Sequence, residues 1–259
     1  MRKPRWIAVT SIVLLALQAA AAQERDDRGP ITWLAYSHVK PGMTGAAVAH
    51  ALEDQPLMDE LIAAGTVLSW GMATPINHDP GDTWNFLQWV TVGSWADIDL
   101  WSGAVMGKLN ALSAQERKAL EQRFHEIHVD GSHFDEVVRQ SVISPAAAAP
   151  KYFYVADFVA KAGQGEALVE FFRQAVVPLL DPLVAEGTLT AYGVATPELH
   201  IRADWTHRFW YALPSLGAIG KMTKRFEQAR TPAFDAWAGS LFAPEGHSDK
   251  VLMVLHYAR

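Results

Sequence analysis

Two stretches of this 259-residue chain read almost alike. Residues 56–75 (PLMDELIAAGTVLSWGMATP) and 178–197 (PLLDPLVAEGTLTAYGVATP) align without a gap, and eleven of the 20 positions are identical. Chance does not produce agreement of that density, so the chain must fold as two versions of one unit. Weaker matches extend the repeat on both sides. Trp84 and Trp89 correspond to Trp205 and Trp210, with a one-residue length difference in the loop before them. GSHFDEVVRQSVI (131–143) resembles EGHSDKVLMVLHY (245–257), and WLAYSHV (33–39) stands opposite FYVADFV (153–159). SPAAAAP (144–150) lies between the copies, bounded by prolines and without a hydrophobic pattern, and reads as a linker. The units are therefore bounded at 23–143 and 151–259.

Both copies predict the same order of elements. An aromatic and β-branched strand (31–39; 151–159) leads into a helix (43–64; 164–186) in which Val48, Leu52, Leu57 and Leu61, or Phe171, Phe172, Leu179 and Leu183, fall near helical spacing. Pro56 and Pro178 sit inside these helices, where a missing donor and a clash with the preceding turn predict a kink. Gly65 and Gly187 stop them. A second strand runs to Pro75 or Pro197, a polar loop leads to a third (84–92; 205–213), and a helical region follows (94–125; 215–239). Ser113, with Glu116 three residues on, forms a capping box that splits the first of these regions. A fourth strand (135–143; 249–258) closes each unit.

The N-terminus predicts export. Arg2, Lys3 and Arg5 precede an apolar run from Ile7 that ends in Ala19–Ala22, the layout of a cleaved signal peptide (1–22). The apolar core is shorter than the roughly 20 residues a spanning helix needs, so no membrane insertion is expected after cleavage. Cleavage would remove three of the 22 basic residues and none of the 28 acidic ones, taking the net charge from -6 to -9. That sign argues against nucleic acid or an anionic membrane surface as partner. With no Cys, neither disulfides, a thiol nucleophile nor a thiolate metal site can contribute. The expected location is periplasmic or secreted, as a monomer or homodimer.

The order β-α-β-β-α-β is the ferredoxin-like pattern, giving an α+β fold of two tandem units. Each has helices on one sheet face only, so the two antiparallel sheets must pack together or form a shared barrel. Neither alternating set of the third strands, such as Trp84, Phe86, Gln88 and Val90, is cleanly polar, as expected when both faces are covered. In this organisation the chain resembles the dimeric α+β barrel superfamily, with both halves in one chain. That group includes cofactor-independent monooxygenases, EthD-like and NIPSNAP-like proteins, isomerases and haem-binding chlorite dismutase relatives. The resemblance implies a small-molecule cavity between sheet and helices and admits haem, without selecting an activity.

Candidate chemistry is sought where the halves differ, because packing alone is a poor reason to place a polar group in a strand. His207 stands opposite Phe86, Arg139 opposite Met253, Asp157 opposite Ser37, His38 opposite Phe158 and His256 opposite Val142. A cavity holding His38 or His207 as base beside Arg139 would abstract a proton and steady an oxyanion. Trp84, Trp205, Tyr154 and Tyr211 are the expected ligand-contacting aromatics. The cluster His125, His128, His133 and Asp135 has the donor types of a metal site, but it also reads as a helix end and turn, and no metal is assigned. The repeated pairs His133/Asp135 and His247/Asp249 are compatible with an oriented base or with a folding feature kept in both copies.

No glycine-rich phosphate loop and no G-x-S-x-G occurs, and no cofactor is assigned. The leading expectation is an exported protein that binds a small apolar or aromatic molecule in an aromatic-lined cavity. The alternatives are a cofactor-independent monooxygenase or isomerase, and a structural or assembly protein without a ligand. Export predicts that the protein recovered from periplasm or medium begins within about two residues of Gln23. Intact mass and N-terminal sequencing check this, and a secreted chain that retains residues 1–22 would contradict it.

Overall fold

The prolines and glycines of the repeat divide the chain into its elements. In the first half these are β1 (Ile31–Ser37), α1 (Thr44–Ala51), α2 (Gln55–Ala63), β2 (Val67–Pro75), β3 (Phe86–Val92), α3 (Trp95–Ala111), α4 (Ala114–Ile127) and β4 (Phe134–Ile143). In the second they are β5 (Tyr152–Phe158), α5 (Gly165–Phe171), α6 (Val177–Ala185), β6 (Ala191–Pro197), β7 (His207–Leu213), α7 (Gly217–Ala229), α8 (Pro232–Leu241) and β8 (Ser248–Ala258). The structure is a computed structural model that describes residues 28–77, 82–199, 204–244 and 246–259. The signal segment expected at 1–22 lies outside those residues. Among them, no helix is long and apolar enough to cross a membrane.

Each proline breaks its helix in its own way. Before Pro56 the chain makes a 3-10 turn, Leu52–Asp54, and before Pro178 a π-helical segment, Phe172–Val176. Gly65 and Gly187 then adopt φ of 77° and 76°, the left-handed cap that favours glycine. Ser113 forms the full capping box with Glu116 at the start of α4. The second half also splits its long helix, at Thr231. That hydroxyl accepts the Phe234 N–H at 3.1 Å, and Pro232 occupies the first turn.

The strands close into one antiparallel barrel in the order β1-β3-β2-β8-β5-β7-β6-β4. Within each half the order is fourth, first, third, second. The halves join where β2 pairs β8 and β4 pairs β6. Residues 144–150, expected as a short linker, run against the barrel end. There the Ser144 N–H donates to the Tyr192 carbonyl at 2.9 Å and the Ala147 N–H to the Thr190 carbonyl at 2.8 Å.

Strand alternation sorts the side chains into three cores. Outward residues of the first half, among them Ile31, Met72, Phe86, Val92 and Val137, pack on α1–α4. Their counterparts Tyr192, Val194, Phe209 and Leu213 pack on α5–α8 around Leu168, Phe172 and Leu180. Each fully buried side chain of this size contributes about 1.5–3 kcal/mol. Inward residues Leu34, Tyr36, Leu87, Trp89, Val138, Trp205 and Leu252 form the third cluster inside the barrel.

Equivalent strands obey one register, which corrects the pairing of the first strands. Tyr36 lies opposite Leu87 and Asp157 opposite Arg208, so Tyr36 corresponds to Asp157, and His38 to Val159 rather than to Phe158. The sequence alignment there is one residue out, because outside the central block too few identities fix the phase.

Two glycines carry the same burden in both halves. A Cβ on Gly71 would lie 2.4 Å from the Trp89 ring and 2.5 Å from the His256 carbonyl oxygen. A Cβ on Gly193 would lie 2.5 Å from the Trp210 ring and 2.6 Å from the Val142 carbonyl oxygen. Each indole thus lies on the bare backbone of the neighbouring strand. Gly71→Ala and Gly193→Ala are each expected to destabilise by about 1–3 kcal/mol in urea unfolding. Shortening the indole in the pairs Gly71→Ala/Trp89→Leu and Gly193→Ala/Trp210→Leu should not restore stability, since the carbonyl contact persists. Full rescue would show that the indole alone sets the requirement.

Candidate functional site

The barrel interior is only partly filled, leaving a cavity of about 1000 Å³. Small inward residues account for the space, since Ala191, Ala195 and Ala212 line it where larger side chains would meet. Trp84, Trp89, Trp205 and Trp210 also line it. The expectation of a cavity between sheet and helices is therefore corrected. Those spaces hold the two outer cores, and the cavity lies between the halves, inside the strands.

One end of this cavity holds a charged cluster built from both halves. Tyr36 at the end of β1, Glu136 near the start of β4, Asp157 at the end of β5 and Arg208 at the start of β7 all point inward. Arg208 clasps Asp157 with Nε to Oδ1 at 2.7 Å and Nη2 to Oδ2 at 2.9 Å. Its Nη1 donates to the Tyr36 hydroxyl at 2.7 Å and to Glu136 Oε2 at 2.9 Å. The Tyr36 hydroxyl donates to the same Glu136 oxygen at 2.8 Å, and the Trp205 indole N–H faces Oε1 at 3.4 Å. The guanidinium lies 4.2 Å from the centre of the Trp205 ring, a cation–π contact.

Burial governs the proton inventory here. It raises the Tyr36 phenol well above its ordinary range; Arg208 opposes and Glu136 reinforces the shift, so Tyr36 stays a protonated donor. Burial also works against the Arg208 charge, but the carboxylates of Asp157 and Glu136 outweigh it and keep the guanidinium charged. Beside the cluster, Phe134 stacks on Tyr36 at 4.7 Å and Trp84 meets Tyr36 edge-on at 4.9 Å. Lys250 pairs with Asp82 and lies 5.6 Å from the Trp84 ring centre. The opposite end is polar without charge pairs. There Trp210 donates to Gln140 at 2.9 Å, Gln140 to Thr32 at 2.9 Å, and Thr32 meets Thr91 at 3.0 Å.

The residues named from sequence divide between inside and outside. Trp84 and Trp205 line the cavity. Tyr154 and Tyr211 face the helices, stacked on each other at 5.7 Å, with the Tyr154 hydroxyl donating to Asp249 at 2.7 Å. His207 is buried on the outer side of β7, with Nε2 3.0 Å from the Gly165 carbonyl and Nδ1 2.9 Å from the Thr206 hydroxyl. Burial lowers its pKa, opposed by the Gly165 bond. Arg139 also faces outward, bonding Glu198 through Nε at 3.0 Å and through Nη2, and the Gly29 carbonyl at 2.8 Å. His38 lies past the end of β1 and does not line the cavity; its backbone bonds Ser132 and Val129. The structure therefore does not bring His38, His207 and Arg139 together.

The histidine-rich turn also separates. His125 meets Asp130 at 2.6 Å, whereas His128 is buried and stacked on Phe124 at 4.4 Å, with a pKa lowered to about 4 by burial and by His50 and His133. Both repeated pairs form, His133–Asp135 at 3.3 Å and His247–Asp249 at 3.1 Å.

Tyr36, Glu136 and Arg208 were not singled out from sequence. Their signal was the same asymmetry, obscured by register only for Tyr36. Arg208 replaces Leu87, Asp157 replaces Tyr36, and Lys250 replaces Glu136.

No protein-family model matches the chain, and no curated relative matches it. In fold it is similar to solved structures. One is a presumed monooxygenase of Fusobacterium nucleatum, with a TM-score of 0.60 and 12% identity over 90% of this chain and 95% of that one. A second presumed monooxygenase, of Lactobacillus acidophilus, has a TM-score of 0.59 and 13% identity over 89% and 96%. An anthrone oxidase-like protein has a TM-score of 0.50 and 15% identity over 90% and 94%. The chain thus has a monooxygenase-like α+β fold with a closed eight-stranded antiparallel barrel.

Among the described residues, the cavity lining does not fit the haem that the wider fold group admits. His247 is the one histidine lining the cavity among the described residues; its Nε2 is engaged by Asp249 and its ring is stacked on Phe158 at 4.5 Å. His207 is fixed outside the cavity by Gly165 and Thr206.

Removing the central cation tests how much the cluster carries. Arg208→Met leaves Glu136 and Asp157 buried without their counter-charge and is expected to cost ~3–5 kcal/mol in urea unfolding. Adding Glu136→Gln and Asp157→Asn should recover most of that loss. A loss in the single variant below about 1 kcal/mol would show that solvent, not Arg208, satisfies the carboxylates.

Proposed function

We propose that this protein binds a small apolar or aromatic molecule inside its barrel. The observation that carries the reading is the cavity of about 1000 Å³, walled by Trp84, Trp89, Trp205 and Trp210, with the Arg208 charge cluster at one end. An apolar wall with a few convergent polar groups is the usual make-up of a ligand site. Each half is taken to be a ferredoxin-like unit, the second derived from the first by duplication. Closure within one chain leaves no barrel strand unpaired and supports a monomer. The N-terminal sequence supports export to the periplasm or medium.

A second reading is a cofactor-independent oxygenase or isomerase, and the charged cluster is the observation that favours it. Glu136 would serve as base toward a C–H acid, and the protonated Tyr36 hydroxyl as donor to the oxyanion that develops. This moves the acid–base role from His38, His207 and Arg139 to groups that line the cavity. The presumed monooxygenases and the anthrone oxidase-like protein support it at the level of fold alone.

The uncharged fluorophore N-phenyl-1-naphthylamine is expected to bind saturably, one per chain, with energy transfer from the cavity tryptophans. Val155→Trp, which adds an indole to the cavity wall, should abolish that binding while the far-UV circular dichroism stays native. Binding that does not saturate, or that survives Val155→Trp, would sink the cavity reading. Oxygen uptake with an anthrone distinguishes the two readings. No uptake above the uncatalysed rate is expected, whereas uptake lost in a folded Glu136→Gln variant would establish the oxygenase reading instead.

A further inference from the structure

The charged end of the cavity is short of donors and rich in acceptors. Four of the five N–H groups of Arg208 are committed to Asp157, Glu136 and Tyr36. A ligand carboxylate arriving there would find no free guanidinium fork. Glu136 Oε1, by contrast, faces only the weak Trp205 contact at 3.4 Å among the described residues. In formal charges, and among the described residues, Arg208 with Glu136 and Asp157 leaves one negative charge uncompensated, and the Lys250–Asp82 pair adds none. Asp204, exposed at the rim of the same cavity, adds a further carboxylate.

From this we infer that the molecule held in the barrel is a cation, an apolar or aromatic body bearing a protonated amine, seated with the amine toward Glu136. The inference rests on the binding function proposed above and assigns the charge of the ligand. An uncompensated carboxylate in a desolvated site is costly, and a bound ammonium would relieve it. The surroundings suit a cation as well. Aromatic rings attract positive charge to their faces, and the protein's own cations already use Trp205 and Trp84 in this way.

The other end holds polar groups of a different kind. Thr190 lines the cavity at 5% exposure, and its hydroxyl has no hydrogen-bond partner among the described residues. Arg259, also at that end, donates to the Ala146 carbonyl at 2.7 Å, away from the acidic cluster.

Three probes of matched shape test the assignment: 1-naphthylmethylamine, 1-naphthalenemethanol and 1-naphthoate, titrated at low ionic strength by quenching of tryptophan fluorescence. The amine is expected to bind at least about tenfold tighter than the alcohol, and the acid more weakly than either. Added salt should narrow the gap between amine and acid. Glu136→Gln should reduce the amine's advantage over the alcohol to within about threefold. Should that variant not fold, Asp204→Asn on the exposed rim is expected to reduce the amine's advantage and leave the cluster intact. An alcohol that binds while the acid equals or exceeds the amine overturns the charge assignment alone. Failure of all three probes to bind removes the binding function itself.

Discussion

Closure of the barrel is the constraint on which the remaining structure depends. An open four-stranded half has two free edges, and unpaired edge strands must be covered or joined. Here β2 pairs with β8 and β4 with β6, so the halves cover each other's edges. Both seams have the same irregularity: β8 skips Leu255 opposite Met72 and Ala73, and β4 skips Ser141 opposite Ala195 and Val194. Such bulges increase local twist and bend the strand, which a small closed barrel requires. Arg139 and Glu198 brace the β4–β6 seam from outside. A residue expected to act on a ligand thus has a structural partner at the join.

Closure also determines what can occupy the interior. With the outward faces packed on helices, every inward side chain must share the space inside the barrel. Two indoles lie on glycine backbone and take up part of it, and alanines leave the rest open. The charges that remain inside are tolerable because they are bonded to one another. Arg208 connects Asp157 from its own half with Tyr36 and Glu136 from the other, so the cluster exists only when both halves are in place.

Much of the architecture was legible in the sequence because it depends on local chemistry. Gly65, Gly187, Pro56, Pro178 and the Ser113 capping box act over a few residues, and the repeated block made each reading twice over. Facing was harder to read. When both sides of a strand are covered, period-two alternation no longer distinguishes inside from outside, so Tyr154, Tyr211, His207 and Arg139 were indistinguishable from residues that line the cavity. The site was further obscured by phase. A one-residue error placed Asp157 against Ser37 instead of Tyr36, which hid the exchange of Tyr36 for Asp157; Leu87 for Arg208 and Glu136 for Lys250 were already aligned but not singled out. Contacts between positions about 70 to 170 residues apart, such as Glu136 and Arg208 or Tyr36 and Arg208, leave no local trace at all.

That exchange bears on how a guest can lie in the barrel. If the two halves were identical, every inward group would meet its own image, and a guest could enter in two orientations of equal energy. Position 208 carries arginine where its counterpart at 87 carries leucine, and 190 carries threonine where 68 carries leucine. The equivalence is lost at both ends of the cavity. A guest with distinct ends would therefore have one best heading, and the differences between the two halves give a pseudosymmetric container a polarity.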